Sequence, residues 1–245
     1  CVPSGNGGLR ALHRGCCRND GGVAVRVDDA GGVEIFVAGH RWALMSGFVE
    51  PVTLVGDRWV TLEPLTGEHL PEIEAVAADG ELGSLWFTSA PKAGAASDWL
   101  DMRLAVQKPD SGLTFVVRGH DGALIGSSSY LNIDGPNRRL EIGYTWYAAS
   151  ARRSGVNSET KLLMLGHAFD ELNCVAVEFR THYFNSTSRA GIERLGAKLD
   201  GVLRSQQILP DGSRRDTVVY SILDIEWPSV RNNLAFQLDR HRRGF

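Results

Sequence analysis

The residues with the clearest chemical promise are Arg152-Arg153-Ser154-Gly155-Val156-Asn157, a basic stretch carrying one glycine. It lies between a run rich in β-formers (residues 140–147, with Tyr144, Trp146 and Tyr147) and a run in which Leu162, Leu163, Leu165, Ala168, Phe169 and Leu172 recur at helical spacing. A loop that hands a strand to a helix N-terminus offers unpaired backbone N–H groups and the positive end of the helix dipole, which is the chemistry that holds phosphate. An ordinary basic loop before a helix has the same composition, and a short glycine motif alone does not separate the two. Downstream, Asn185 and Ser188 bring an amide and a hydroxyl to the start of another helix, where such residues also serve as caps. Glu141, Tyr144 and Tyr183 are candidates to accept a proton, and each has a plain structural alternative as a solvated carboxylate or a packed aromatic. His167 and His182 have no Ser or Asp partner at a spacing that certifies a nucleophilic triad.

The elements that must position these residues follow from the pattern. Residues 58–62 read as a strand closed by Pro64, and Thr66 caps a helix through Ala77. A loop with Trp86 and Phe87 follows, then a helix over 97–107. Strands over 113–118 and 123–131 flank the turn His120-Asp121-Gly122, and Asp134-Gly135-Pro136-Asn137 turns the chain into the strand that precedes the basic loop. Beyond the central helix come a strand over 174–181, a short helix over 185–195 and an antiparallel pair, 202–208 and 216–223, across Pro210-Asp211-Gly212. A helix over 227–240 closes the chain, with Pro228 in its first turn. Strands in a row followed by a β-α-β crossover predict an α+β (mixed α/β) fold with one mixed sheet.

The chain has 245 residues, 43% hydrophobic and 22% charged, enough for one domain with a substantial core. A net charge of -3 and the lack of a long Lys/Arg run argue against nucleic acid as a direct partner. No apolar run reaches the roughly 20 residues that span a bilayer, so no membrane role is expected. Cys1, Cys16, Cys17 and Cys174 lack metal-ligand spacing; no metal is expected, Cys174 reads as a reduced core thiol, and the cytoplasm is the default compartment. Residues 1–45 stand apart: the first part is Gly-, Arg- and Cys-rich without periodicity, and VAVRV and VEIFV follow around an Asp-Asp-Ala-Gly-Gly turn. The expectation is a disordered leader or mis-assigned start over 1–45, and a single domain over 46–245.

Three segments together resemble the GNAT acetyl-CoA-dependent N-acetyltransferases, over about residues 52–225. The loop Arg152–Asn157 resembles the family's pyrophosphate signature, with Asn157 in place of its usual small last residue. Asn185-Ser186-Thr187-Ser188, continuing through Ile192 to Leu195-Gly196, resembles the N-x-x-S-x-x-x-I-x-x-L-G segment. Asp216-Thr217-Val218-Val219-Tyr220-Ser221 resembles the late strand of the Rim-type branch, which acetylates N-terminal amines of ribosomal proteins.

That resemblance implies a GNAT-like, mostly antiparallel mixed sheet flanked by helices, and acetyl-CoA as co-substrate. It implies direct transfer in a ternary complex to a primary amine, either a protein N-terminus or a small-molecule amine. Arg152, Arg153, Ser154, Gly155, Val156 and Asn157 would cradle the pyrophosphate and Asn185 the pantetheine arm, with Ser188 a candidate acid near the sulfur and Glu141 a candidate base. A homodimer fits the aromatic surface residues as well as an acceptor groove does. The alternative is a non-catalytic acyl-CoA-binding or interaction module on the same fold.

Overall fold

The computed structural model describes residues 17–18, 23–27, 33–37, 40–44, 47–78, 90–108, 110–152 and 154–243. The chain divides at Ser46/Gly47 into two compact units. In the first, β1 (Cys17–Arg18), β2 (Val23–Val27), β3 (Val33–Val37) and β4 (His40–Leu44) pair antiparallel in chain order. In it β2 and β3 are joined in register from Val23↔Val37 to Val27↔Val33.

The second unit begins with β5 (Leu54–Val55) and β6 (Val60–Pro64), then a 3₁₀ turn capped by Thr66 that leads into α1 (Leu70–Ala78). Next come α2 (Ala96–Val106), β7 (Gly112–Gly119), β8 (Leu124–Asp134) and β9 (Arg139–Tyr147). The basic loop leads into α3 (Val156–Gly166), which widens into a π turn at His167–Glu171. After β10 (Ala176–His182) follow α4 (Ser186–Leu195), β11 (Lys198–Ile208), β12 (Arg214–Leu223) and α5 (Trp227–Arg243). The eight strands form one sheet in the order β11-β12-β10-β9-β8-β7-β6-β5, antiparallel except for β9 and β10. This is the expected α+β architecture, with the element order read from the sequence preceded by one short strand, β5, that was not expected.

Alternation along the strands gives the sheet two different faces. Leu62, Phe115, Tyr130, Leu140, Ile142, Val177, Phe179, Val218, Tyr220 and Ile222 pack under α3 and α5, which contribute Met164, Leu165, Trp227, Val230 and Leu234. Val116, Leu124 and Trp146 point the other way, where Ile73 of α1 and Trp99 and Leu100 of α2 cover them.

Two details differ from the pattern reading. On α3, Leu162 and Leu163 are only partly buried, while Ser158, Glu159, Thr160 and Lys161 are buried, because the first turns of this helix face polar partners rather than the apolar core. The strand expected from Cys174 starts at Ala176: the Cys174 N–H still donates to Ala168 O at 2.9 Å, and Asn173, at φ 55°, ends the helix in the left-handed conformation that Asn tolerates. Cys174 is buried and reduced, and burial pushes its thiol up to about 12.

Candidate active site

β9 and β10 are parallel neighbours, so the loops that leave them emerge at one end of the sheet. Their pairing covers Ala176↔Arg139, Val177↔Leu140 and Glu178↔Glu141 and stops there, although β9 runs on to Tyr147 and β10 to His182. Each strand stays paired on its far side, β9 with β8 as far as Tyr147↔Gly126 and β10 with β12 as far as His182↔Thr217. The sheet therefore opens as a wedge between two rigid halves, with unpaired β-strand backbone along both walls. The loop into α3 and the start of α4 lie at the mouth of this wedge, and Glu141 lies at its closed end.

At the mouth, the Ser154 hydroxyl donates to Ala151 O at 2.6 Å and accepts the Val156 N–H at 3.3 Å, which fixes the turn into α3. Among the described residues the first i→i−4 bond of α3 runs from Glu159 N–H to Gly155 O, and the N–H groups of Asn157 and Ser158, which precede it, find no backbone acceptor there. Arg152 is exposed, Asn157 half-buried, and Val156 buried in the core beneath the loop. Arg153 lies outside the described residues, as do Trp86 and Phe87. Gly155 is required for a local reason: an added Cβ would stand 2.5 Å from the Trp59 indole nitrogen. The segment carrying Trp59 is clamped to α3 by the buried Glu159 carboxylate, which accepts the N–H groups of Arg58, Trp59 and Val60 at 3.2, 2.5 and 2.7 Å.

At α4, Asn185 is the N-cap, its side chain accepting the Ser188 N–H at 3.0 Å. The carbonyl oxygen of this amide thus serves the helix. Ser188 is half-buried, one turn into the helix.

At the closed end, Glu141 is 7% exposed and points to the α1/α2 face. Its Oε2 accepts from Asn132 Nδ2 at 2.7 Å, with Arg180 Nε 3.5 Å away; Arg180 and Arg139 in turn hold Glu178 at 2.9 and 2.6 Å. Burial raises the Glu141 pKa, and the Asn132 hydrogen bond and Arg180 only partly offset it. Its Oε1 takes no hydrogen bond within the described protein, and a Cβ on Gly143 would stand 3.0 Å from it, so Gly143 keeps the space beside that oxygen open. Just beyond, Tyr144 (φ 50°) forms a bulge: between the pairs Ser129↔Gly143 and Ser127↔Trp146, β9 holds one residue more than β8.

Two buried cations were not singled out from the sequence. Lys161 of α3 reaches Ser128 Oγ at 3.0 Å and Thr145 Oγ1 at 2.7 Å, and burial brings its amine down to about 7. Arg103 of α2 stacks on Tyr144 with its guanidinium carbon 3.8 Å from the ring centroid. For Arg103 the available signal was its place at helical spacing after Ala96, Trp99 and Leu100; the polar first turns of α3 offered none for Lys161.

The fold is that of an acyltransferase, and the chain belongs to the GNAT acetyltransferase family, whose description "Acetyltransferase (GNAT) domain" matches residues 60–198. In particular, it is similar to a Rim-type protein of Bacillus subtilis (strain 168) named "Putative ribosomal N-acetyltransferase YdaF": 31% identical over 173 residues, 68% of this chain and 90% of that one. Among solved structures, it is similar to a GCN5-related N-acetyltransferase from Brucella melitensis, with 30% identity and a TM-score of 0.69 over 78% of this chain and 86% of the other. The fold is shared with RimJ of Mycobacterium smegmatis, solved with CoA-disulfide, at 24% identity and a TM-score of 0.63 over 76% of this chain and 95% of the other. Among the described residues no helix is long and apolar enough to cross a membrane.

Proposed function

We propose that this chain moves the acetyl group of acetyl-CoA to a primary amine, a protein N-terminus or a small-molecule amine, by direct transfer in a ternary complex. The observation that carries this reading is the wedge between β9 and β10, with an open helix N-terminus at its mouth and a buried carboxylate at its closed end. Acetyl-CoA supplies an activated thioester. The chain's own residues hold and orient it: the N–H groups of Asn157 and Ser158 and the positive end of α3 suit a pyrophosphate, with Arg152 and Arg153 adding charge. Unpaired backbone along the wedge suits the amide-bearing arm, which can bond there as an added strand would. Asn185 keeps its NH₂ group for the same arm after its oxygen caps α4. Ionised Glu141, whose Oε2 is held by Asn132, takes at Oε1 the proton that the acceptor ammonium must lose before its nitrogen attacks the thioester, directly or through water. Ser188 stands on α4 as the donor for the departing thiolate.

A thermal-shift comparison tests the binding half of this reading. The midpoint rises with acetyl-CoA and with CoA and is unmoved by NAD or ATP at equal concentration. A shift with NAD but none with CoA overturns it.

A further inference from the structure

Arg103 is 4% exposed, and its Nε and Nη1 have no hydrogen-bond partner. No carboxylate of the described residues pairs with it, and its guanidinium lies on the face of Tyr144. Arg215 of β12 is similar: half-buried, with a buried Nε that makes no hydrogen bond and no ion pair. Alternation along β12, with Val218, Tyr220 and Ile222 in the α3/α5 core, puts Arg215 on the opposite face, the one that carries Glu141 and α2. Tyr144 and Glu141 are within its electrostatic reach. Three other partly buried arginines of this unit are neutralised: Arg118 by Glu63 and Glu72, Arg139 and Arg180 by Glu178. A buried guanidinium without an anion is costly, and replacing it by an apolar residue of similar volume is generally neutral or stabilising. Arg103, buried, and Arg215, half-buried, both with an unbonded Nε and on the face of the sheet that carries Tyr144, form an incomplete ion-pair site.

We propose that Arg103, on the face of Tyr144, and Arg215, on the same side of the sheet, receive a carboxylate of the acceptor, so that the preferred substrate is an amine with an acidic group close by, such as a peptide with Asp or Glu next to its N-terminus. The proposal rests on the acetyltransferase reading and narrows its substrate class. Tyr144 is 40% exposed, which leaves its ring free to swing off the guanidinium as the carboxylate arrives. The fork of each arginine offers paired N–H donors that match a carboxylate. Glu141 beside the pair takes the ammonium end, so a dipolar acceptor meets both signs, whereas a polyamine meets two repelling cations.

The test uses three peptides that differ only in the second residue, Asp, Ala or Lys, and reads kcat/KM for CoA thiol release. The native protein prefers Asp over Lys by about 10-fold or more, as expected for a charge pair that loses its solvent. The Asp-to-Lys preference falls by at least about tenfold in both Arg103→Met and Arg215→Gln. Because the ratio is internal to each variant, partial loss of folded protein does not affect it; Arg215→Gln, at a half-buried position, covers the case in which Arg103→Met does not fold. Equal rates for Asp and Lys peptides in the native protein, or a preference that survives both substitutions, overturn the proposal. If no peptide releases thiol, the transferase reading is what fails. The subsite is then judged by calorimetric binding of the same peptides: tighter binding of the Asp peptide, lost in both variants, supports it, and equal affinities sink it.

Discussion

Asn132 donates from Nδ2 to Glu141 Oε2 at 2.7 Å, and it does so from a left-handed backbone (φ 46°) at an irregularity in the β8–β9 register between Leu131↔Glu141 and Asp134↔Arg139. The irregularity re-aims the amide of Asn132 at the carboxylate and leaves the other oxygen, Oε1, for an outside group. The local sheet geometry thus holds one oxygen of Glu141 and leaves the other unbonded, as the proposed base requires.

Burial raises the Glu141 pKa, so the ionised, basic form is lost as pH falls through a value above the usual carboxylate range. The kcat/KM profile therefore has an acid limb displaced upward. Glu141→Gln lowers kcat by about 10²- to 10⁴-fold and removes that limb. Asn132→Gly, which keeps the backbone conformation but deletes the stabilising hydrogen bond, moves the limb to higher pH. An unchanged limb in Glu141→Gln assigns the base elsewhere.

Lys161 gives a stability signature of its own. Its folded pKa, about 7, lies below the ordinary 10.5, so between those values the unfolded chain binds more protons and stability rises with pH. Below about 7 the buried amine is charged in both states and its burial penalty is complete. Lys161→Met removes this slope and raises the melting midpoint at pH 6 by on the order of 5 °C. Ser128 and Thr145, 2.8 Å apart, still satisfy one another. A melting curve that remains equally pH-dependent in the variant contradicts the assignment.

Gly155→Ala places a methyl group against the Trp59 indole. The ring must move, with an expected cost of about 1–3 kcal/mol in stability and a shift in tryptophan emission. Unperturbed emission and an unchanged midpoint would mean that the ring is not held there.

Asn185→Ala removes the α4 cap and costs about 1 kcal/mol whether or not a cofactor is bound. Ser188→Ala leaves that cap intact, because the Ser188 contribution is its backbone N–H. A fall in its kcat with little change in the KM for acetyl-CoA identifies the hydroxyl as part of the chemistry; unchanged turnover removes it.

Much of the fold was legible in local patterns. Alternating runs, turn residues and caps such as Thr66 and Gly196 carry their own period and punctuation, so element order followed from residues a few positions apart. The loop at 152–157 and the α4 start were legible for the same reason. The wedge was not: Ile142 and Phe179 look like paired strand residues in any local window, and only the register beyond Glu141↔Glu178 shows that they part. Buried charge was also hidden. Glu159 is read by the N–H groups of residues about a hundred positions earlier, and Arg103 is buried by a tyrosine on another element. The left-handed Asn132 and Tyr144 arise from strand register, which single-strand periodicity does not encode. The arginines of the proposed acceptor site, Arg103 and Arg215, likewise lie on separate elements, α2 and β12.

The central claim is amine-dependent acetyl transfer, and its most direct measurement is the time course of free CoA thiol from acetyl-CoA with and without a panel of primary amines that includes peptide N-termini, followed by mass analysis of the amine. The account predicts thiol release that depends on amine concentration, an acetylated amine in equal amount, and loss of both in Glu141→Gln. Tight acetyl-CoA binding without amine-stimulated thiol release across the panel would contradict it and would make the chain an acyl-CoA-binding module on a transferase fold.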